Sequence, residues 1–295
     1  MIKNALPVTY GNFERIQPFD LSKNSSIGCG GLAPCALFPR DLEELFALLC
    51  RLQSDGISCL TVGNMTNVLP PDDGLKILVV CTRKMRGIQA TQSGVFVEAG
   101  VSAGQLLQAC QTRNLLGAEF LAGVPCTLGG ALYMNAGAGG TYIAEIVESV
   151  LVFRRGRRVE LPVEACRYGY KTSLFMQTDD VILGANLRLK RSNEQEIAER
   201  KRYYLQRRAH LPTGKSMGCV FKNPENGVSA GEWIERSGLK GLRVGGAVVS
   251  DRHANFILND RGATSQDVKR LIATIQTTVK ARYGVELKEE IRYLE

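Results

Sequence analysis

Apolar positions recur at helical spacing in several stretches of the chain. Residues 41–54 (DLEELFALLCRLQS) place leucines on one face with acids in the first turn, which predicts an amphipathic helix. Residues 102–113 (SAGQLLQACQTR) repeat the pattern behind a serine suited to cap a helix N-terminus. Residues 265–283 predict a third, longer amphipathic helix, whereas 194–208 predict a polar, charged one that marks a domain boundary near residue 190. Short apolar or alternating runs at 59–62, 76–81, 94–99, 181–189 and 254–258 read as strands, and 145–153 with 158–161 read as a hairpin around 154–157. The mixture predicts an α+β fold with short strands, and no internal repeat interrupts it.

Composition narrows the class. At 295 residues the chain has room for two domains, or three small ones, and its 44% hydrophobic and 22% charged content is that of a globular protein. Residues 1–18 lack the apolar segment of a leader, and no apolar run approaches the roughly 20 residues a membrane helix needs. The expectation is a cytoplasmic protein without membrane contact. Nine cysteines, none in a C-x-x-C pair, read as reduced thiols, and two histidines leave little material for a metal site or a Ser-His-Asp triad. No metal site is expected. The net charge is +8, and residues 151–210 hold 14 Lys/Arg against 7 Asp/Glu. That excess is either a solvated face or an attraction for phosphorylated ligands; without an RNA-binding motif or interleaved aromatics, nucleic acid is not an expected partner.

Three glycine-bearing stretches carry candidate chemistry. Gly28-x-Gly30-x-x-Ala33 formally matches a dinucleotide fingerprint, but the polar residues before it and Pro34 and Pro39 after it favour a tight turn over a Rossmann unit. Residues 61–69 (TVGNMTNVL) end a strand in a loop where Gly63, Asn64, Thr66 and Asn67 offer small polar groups and backbone N–H donors. Residues 121–140 (LAGVPCTLGGALYMNAGAGG) are nearly uncharged and dense in Gly and Ala, which suits a cradle for a planar or phosphorylated cofactor.

Together these stretches resemble the flavin-binding half of the UDP-N-acetylenolpyruvoylglucosamine reductase family. Asn24-Ser25-Ser26 and Gly30-Gly31 match its opening segment. Gly63, Thr66 and Asn67 match its G-x-G-S-N loop, with Met65 in place of the second glycine. Ala122-Gly123, Pro125, Thr127, Gly129-Gly130-Ala131 and residues 134–138 match its long A-G-x-P-G-T-x-G-G-A-x-x-M-N-A-G-A signature, with Cys126 where glycine is usual. The resemblance implies FAD contacted by Gly63, Asn64, Thr66, Asn67, Gly123, Pro125, Thr127, Gly129, Gly130, Asn135, Ala136 and Gly137.

The second half continues the resemblance. In 166–175 (CRYGYKTSLF), Tyr170, Ser173 and Phe175 match, and Lys171 stands where the family has a catalytic arginine; as a point charge rather than a planar fork, it is read equally as a catalytic residue and as a surface lysine. Residues 218–224 (GCVFKNP) put Cys219 at the position of the proton donor and Asn223, like Tyr170, at a substrate contact. A thiol of ordinary pKa, about 8.5, is mainly protonated at neutral pH and can donate. Residues 287–292 (LKEEIR) put Glu290 at the catalytic glutamate, and the spacing from Phe256 to Glu290 fits the shorter branch of the family.

What the resemblance implies is an FAD-binding module of the PCMH/VAO-like type, not Rossmann, over residues 1–190, with two subdomains of about 1–82 and 83–190, followed by an α+β substrate-binding domain over 191–295. The implied enzyme is a monomeric NADPH-dependent flavoprotein that reduces UDP-N-acetylglucosamine enolpyruvate to UDP-N-acetylmuramate in peptidoglycan precursor synthesis. Lys171 and Glu290 would steady the enolate and Cys219 would protonate it. The alternative is another FAD-dependent oxidase or dehydrogenase sharing the flavin module, which should lack the GCVFKNP and LKEEIR segments. Because the three flavin stretches contain no histidine, a histidyl linkage is excluded there, and acid precipitation should release the yellow chromophore into the supernatant. Colour retained in the pellet would contradict non-covalent FAD.

Overall fold

The computed structural model describes Tyr10 and residues 13–294, so much of the 1–18 segment read above lies outside the described residues. The chain forms two compact units. Unit 1 comprises Met1–Gln17, Cys35–Asn64 and Ile77–Ala209, and unit 2 comprises Pro18–Pro34, Met65–Lys76 and His210–Glu295. Neither is continuous in sequence, and the polar helix Glu194–Arg208 groups with unit 1.

Unit 1 holds two sheets. The first has four strands in the order Glu14–Ile16, Ala36–Phe38, Leu78–Cys81 and Cys59–Val62, the last three parallel. The helix Leu42–Ser54 covers it. The Asp41 carboxylate accepts the Glu44 N–H at 2.8 Å and fixes the first turn, while Leu45, Leu48, Leu49 and Leu52 recur every three or four residues and bury against Leu37 and Val80. Each such leucine contributes about 1.5–3 kcal/mol by leaving water. The second sheet is antiparallel, with five strands in the order Arg157–Pro162, Val147–Arg154, Val181–Arg188, Gly94–Glu98 and Ile88–Ala90. The helix Ala103–Thr112, held by a reciprocal Ser102/Gln105 capping box, buries Leu106, Leu107 and Cys110 in the same core as Val97, Val150 and Ala185. Glu98 ties strand to helix and turn: its carboxylate accepts the N–H groups of Leu42 at 3.0 Å and Gly87 at 2.9 Å.

Unit 2 is an antiparallel sheet, in the order Ser216–Cys219, Phe256–Asn259, Ala247–Val249 and Arg243–Val244, backed by the helix Ser265–Tyr283. A Thr264/Asp267 capping box starts that helix, and the Asp72 carboxylate takes two more first-turn donors, Ser265 N–H at 2.7 Å and Gln266 N–H at 2.9 Å. Gly284, at φ +68°, ends it in the left-handed conformation that glycine adopts without strain. Val268, Leu271, Ile272, Ile275 and Val279 form the stripe facing the core.

The α+β class follows the sequence reading, as do the helices at 42–54, 103–112, 194–208 and 265–283. Two short helices, Leu128–Met134 and Ala230–Arg236, form where glycine content masks the helical pattern. The formal Gly28-x-Gly30 fingerprint is a turn, with φ +69° at Gly28 and +111° at Gly30, between a four-residue helix and the strand Leu32–Ala33; it is not a strand-to-helix dinucleotide loop. No helix among the described residues is long and apolar enough to cross a membrane.

Glu119 makes one cost of burial visible. Its residue is 2% exposed; one carboxyl oxygen accepts the Gly117 N–H at 2.9 Å, and the other has no hydrogen-bond partner among the described residues. Burial pushes its pKa up from the ordinary value. The folded state therefore holds the proton more tightly than the unfolded chain: stability is greatest below the unfolded pKa, falls as pH rises through the raised folded value, then levels off. Glu119→Gln should flatten that slope, so its urea midpoint should gain on the parent between pH 4 and 7. Parallel midpoints across that range would refute the assignment.

Candidate active site

In unit 1 the Gly/Ala-rich stretch packs against backbone at close range. A Cβ at Gly63 would lie 2.2 Å from Thr127 Oγ1, so only glycine lets these two loops meet. Asn64 Nδ2 donates to the Pro125 carbonyl at 3.2 Å and pins the same pair of loops. Thr127 Oγ1 accepts the Gly130 N–H at 3.3 Å, while the Leu128 and Gly129 N–H groups donate to Val101 and Ala99 carbonyls at 2.8 Å. Thr127, Gly129 and Gly130 thus hold the cradle to the sheet, with Gly129 seated on Ala99. Past the helix, Gly137 pairs with Tyr142 across a turn whose glycines have φ +63° (Gly139) and +90° (Gly140). Gly123 and Pro125 are exposed, and Ala136 is half-buried.

Two features of unit 1 fit a large polar cofactor beside these loops. Thr61 Oγ1 is buried with no hydrogen-bond partner among the described residues, at the end of the strand that runs into Gly63 and Asn64. A Cβ at Gly140 would meet nothing within 4 Å, which leaves open space above the turn.

Asn135 is buried at φ +43°, where Nδ2 donates to the Gly169 carbonyl at 2.9 Å and Oδ1 accepts the Ala144 N–H at 3.3 Å. Gly169 and Thr172 exchange backbone hydrogen bonds of 3.1 and 3.2 Å around Tyr170 and Lys171. Lys171 is the left-handed residue of this turn, at φ +55°, a conformation costing a non-glycine residue about 1–2 kcal/mol. Ser173 Oγ donates to the Tyr133 carbonyl at 2.7 Å, and the Tyr170 ring meets Tyr142 edge-on at 6.5 Å. Tyr170 is exposed and Lys171 half-buried. Sequence reasoning missed the roles of Ser173 and Tyr142, whose ties to this turn appear only in three dimensions.

Unit 2 brings Cys219 and Glu290 together. The strand Ser216–Cys219 loses register against its neighbour before Cys219, with Gly218 at φ +77°, and Cys219 emerges half-buried. Next along the chain, Val220 accepts the Glu290 N–H at 2.8 Å, and Lys222 N–H donates to the Lys288 carbonyl at 2.8 Å. Asn67 Nδ2 donates to the Glu290 carbonyl at 3.2 Å, and Asn67 accepts the Arg292 N–H at 3.0 Å. Asn255 is buried and both donates to and accepts from the Phe221 backbone at 2.8 and 2.9 Å. Asn223 is exposed, and its Oδ1 accepts the Ala230 N–H at 3.0 Å. Thr66 is half-buried in the same unit, beside Met65 at φ +51°. Lys171 belongs to unit 1.

Burial pushes the thiols of Cys110 and Cys126 up to about 12 and that of Cys166 up to about 11, which keeps them protonated and poorly nucleophilic.

Comparison with known proteins matches this geometry to a family. Residues 33–161 match the FAD binding domain model, and residues 209–294 match the model of the UDP-N-acetylenolpyruvoylglucosamine reductase C-terminal domain. The UDP-N-acetylenolpyruvoylglucosamine reductase of Geobacter metallireducens is 38% identical over 285 residues, covering 96% of this chain and 94% of that protein. The chain belongs to the UDP-N-acetylenolpyruvoylglucosamine reductase family. Its Thermotoga petrophila relative of the same name is 37% identical over 276 residues, covering 92% and 95% of the two chains. The crystal structure of the Thermus caldophilus reductase superposes with a TM-score of 0.81 at 31% identity, covering 96% of this chain and 99% of that one. The chain is an FAD-dependent oxidoreductase of α+β fold, as its resemblance to this reductase family implied.

The contact between Gly63 and Thr127 makes a direct test. Gly63→Ala should destabilise the flavin-free protein by about 1–3 kcal/mol, the usual consequence of overpacking, and Thr127→Ala in that background should recover part of the loss. Urea unfolding of the single and double variants reads both effects. A Gly63→Ala protein as stable as the parent would show that the two loops do not meet.

Proposed function

We propose that the protein reduces the enolpyruvyl group of UDP-N-acetylglucosamine enolpyruvate to the lactyl ether of UDP-N-acetylmuramate, with NADPH as reductant, in peptidoglycan precursor synthesis. Bound FAD supplies the hydride chemistry, and the chain supplies orientation, charge and the proton. Of the residues named for the cofactor, Gly63, Asn64, Thr66, Asn67, Gly123, Pro125, Ala136 and Gly137 are assigned to its contacts. Thr127, Gly129 and Gly130 set the backbone of the loops, and Asn135 sets the turn beside them. The flavin module is assigned to residues up to about 190, with two subdomains meeting near residue 82, and the substrate domain to the remainder; the match of the C-terminal family model to residues 209–294 supports the latter. The enzyme is proposed to act as a cytoplasmic monomer. The basic excess of 151–210 is assigned to phosphorylated ligands and not to nucleic acid.

The observation that carries this reading is the hydrogen bond from Glu290 N–H to the Val220 carbonyl, which puts Cys219 and Glu290 on neighbouring backbone. Hydride addition to the enolpyruvyl carbon leaves an enolate conjugated with the substrate carboxylate. Cys219 Sγ–H gives its proton to that enolate carbon, and Glu290 is assigned to steadying the same enolate, either as a neutral carboxylic acid or by orienting a cation. Lys171 contributes a positive charge to the enolate, and Tyr170 and Asn223 are assigned to the substrate. Preorganised charge of this kind lowers the barrier because no dipole has to turn as the enolate forms.

Single-turnover kinetics separate the half-reactions. Cys219→Ala should slow reoxidation of the reduced enzyme by substrate about 10²- to 10⁴-fold, the scale for losing a positioned acid, while Cys219→Ser keeps substantial activity. Lys171→Ala should slow the same step, and both variants should be reduced by NADPH at nearly the parent rate. Undiminished turnover by Cys219→Ala would remove the thiol from the mechanism.

A further inference from the structure

We propose that Asn135 is a positioning residue for Lys171: its side-chain amide sets the turn that presents the lysine. The inference rests on the reading of Lys171 given above.

Each end of the amide holds a neighbouring segment. Nδ2 donates to the Gly169 carbonyl at 2.9 Å and Oδ1 accepts the Ala144 N–H at 3.3 Å. The Gly169 carbonyl is also the acceptor for the Thr172 N–H, at 3.2 Å. One oxygen therefore closes the turn and anchors it, using both of its lone pairs. The residues enclosed are Tyr170 and Lys171, and Lys171 sits at φ +55°. A lysine does not keep a left-handed backbone on its own preference; the surroundings must hold it there. Asn135 has the same property, at φ +43° where the helix Leu128–Met134 ends, and asparagine tolerates that conformation better than most residues.

The hold is reinforced on both sides. Ser173 Oγ donates to the Tyr133 carbonyl at 2.7 Å, two residues before Asn135, and Tyr142 meets Tyr170 at 6.5 Å. The end of one short helix thus fixes both flanks of the turn. A lysine ammonium on a four-carbon stem is a mobile point charge, so the position of its Cα limits where that charge can be delivered. A misplacement of about 1 Å at a catalytic group can cost up to 10²-fold in rate.

The experiment uses the FAD-loaded protein in four forms: parent, Asn135→Asp, Lys171→Ala and the double variant. Asn135→Asp keeps an acceptor for Ala144 and a side chain compatible with positive φ, but removes the donor to Gly169. The enzyme is reduced with NADPH and mixed with UDP-N-acetylglucosamine enolpyruvate, and amide hydrogen exchange at Thr172 is followed in the resting protein. Asn135→Asp should slow reoxidation about 10- to 10²-fold and hasten exchange at Thr172. In the Lys171→Ala background it should change reoxidation by less than about twofold, because residues acting through one another are not additive. An undiminished effect in that background would mean Asn135 acts elsewhere and would overturn the proposal. Faster exchange at Thr172 with unchanged reoxidation would overturn it too, since the turn would then be tied but irrelevant to rate. If Lys171→Ala is harmless while Asn135→Asp is not, the reading of Lys171 fails and the positioning role falls with it. Should Asn135→Asp not fold, Ser173→Ala, which cuts the other tie, takes its place in the same four-way comparison with the same outcomes.

Discussion

Where the loops of unit 1 meet, the segments approach too closely to leave room for a Cβ. A Cβ at Gly100 would fall 1.8 Å from the Thr82 carbonyl, and one at Gly63 would fall 2.2 Å from Thr127 Oγ1. Residues 99–101 therefore form a narrow keystone: Thr82 packs on it at Gly100, and the Ala99 and Val101 carbonyls accept the first N–H groups of the helix Leu128–Met134. Thr82 Oγ1 passes the same contact on to the Val62 carbonyl at 3.2 Å, immediately before Gly63. Close packing of this kind tolerates little change of volume, which is why the loops it joins can hold a fixed shape with so few polar side chains.

In unit 2 the organising device is a chain segment that does the work of a sheet edge. Asn255 presents a side-chain amide to Phe221 where a strand would present a peptide group, and the segment ending at Glu290 completes the other side through Val220 and Lys222. The residue after the bulge, Cys219, is thereby held by backbone on either flank. Main-chain hydrogen bonds on both flanks fix the backbone at this position at little cost in side-chain entropy.

Three departures from the family pattern have different physical standing. Met65 occupies a backbone at φ +51°, where glycine would be unstrained, and its buried side chain offsets the strain by contact with the interior. Cys126 lies outside the left-handed region, so glycine is not required of the backbone there; burial makes its thiol a small apolar filler. Lys171 combines a strained backbone with a changed functional group, and its turn is tied down on both flanks. Strain that the surroundings must maintain is common where a side chain has to be presented and rare where it does not.

The amphipathic helices were legible from sequence because their capping residues and apolar spacing are local. Asp41 with Leu45 and Leu48, and Thr264 with Leu271 and Ile275, determine a helix whatever they pack against. The long glycine-rich signature and the GCVFKNP and LKEEIR segments were equally legible, because a specific order of residues needs no fold to be recognised. The tertiary structure decided which partners those residues meet. Asn135, Thr127 and Asn67 look alike in a sequence as small polar groups near glycines, yet their hydrogen bonds go to Gly169, Gly130 and Glu290 respectively. A polar side chain's partner is set by which segments meet in space, and segments 34 or 223 positions apart meet here only through the packing of the sheets and helices that carry them.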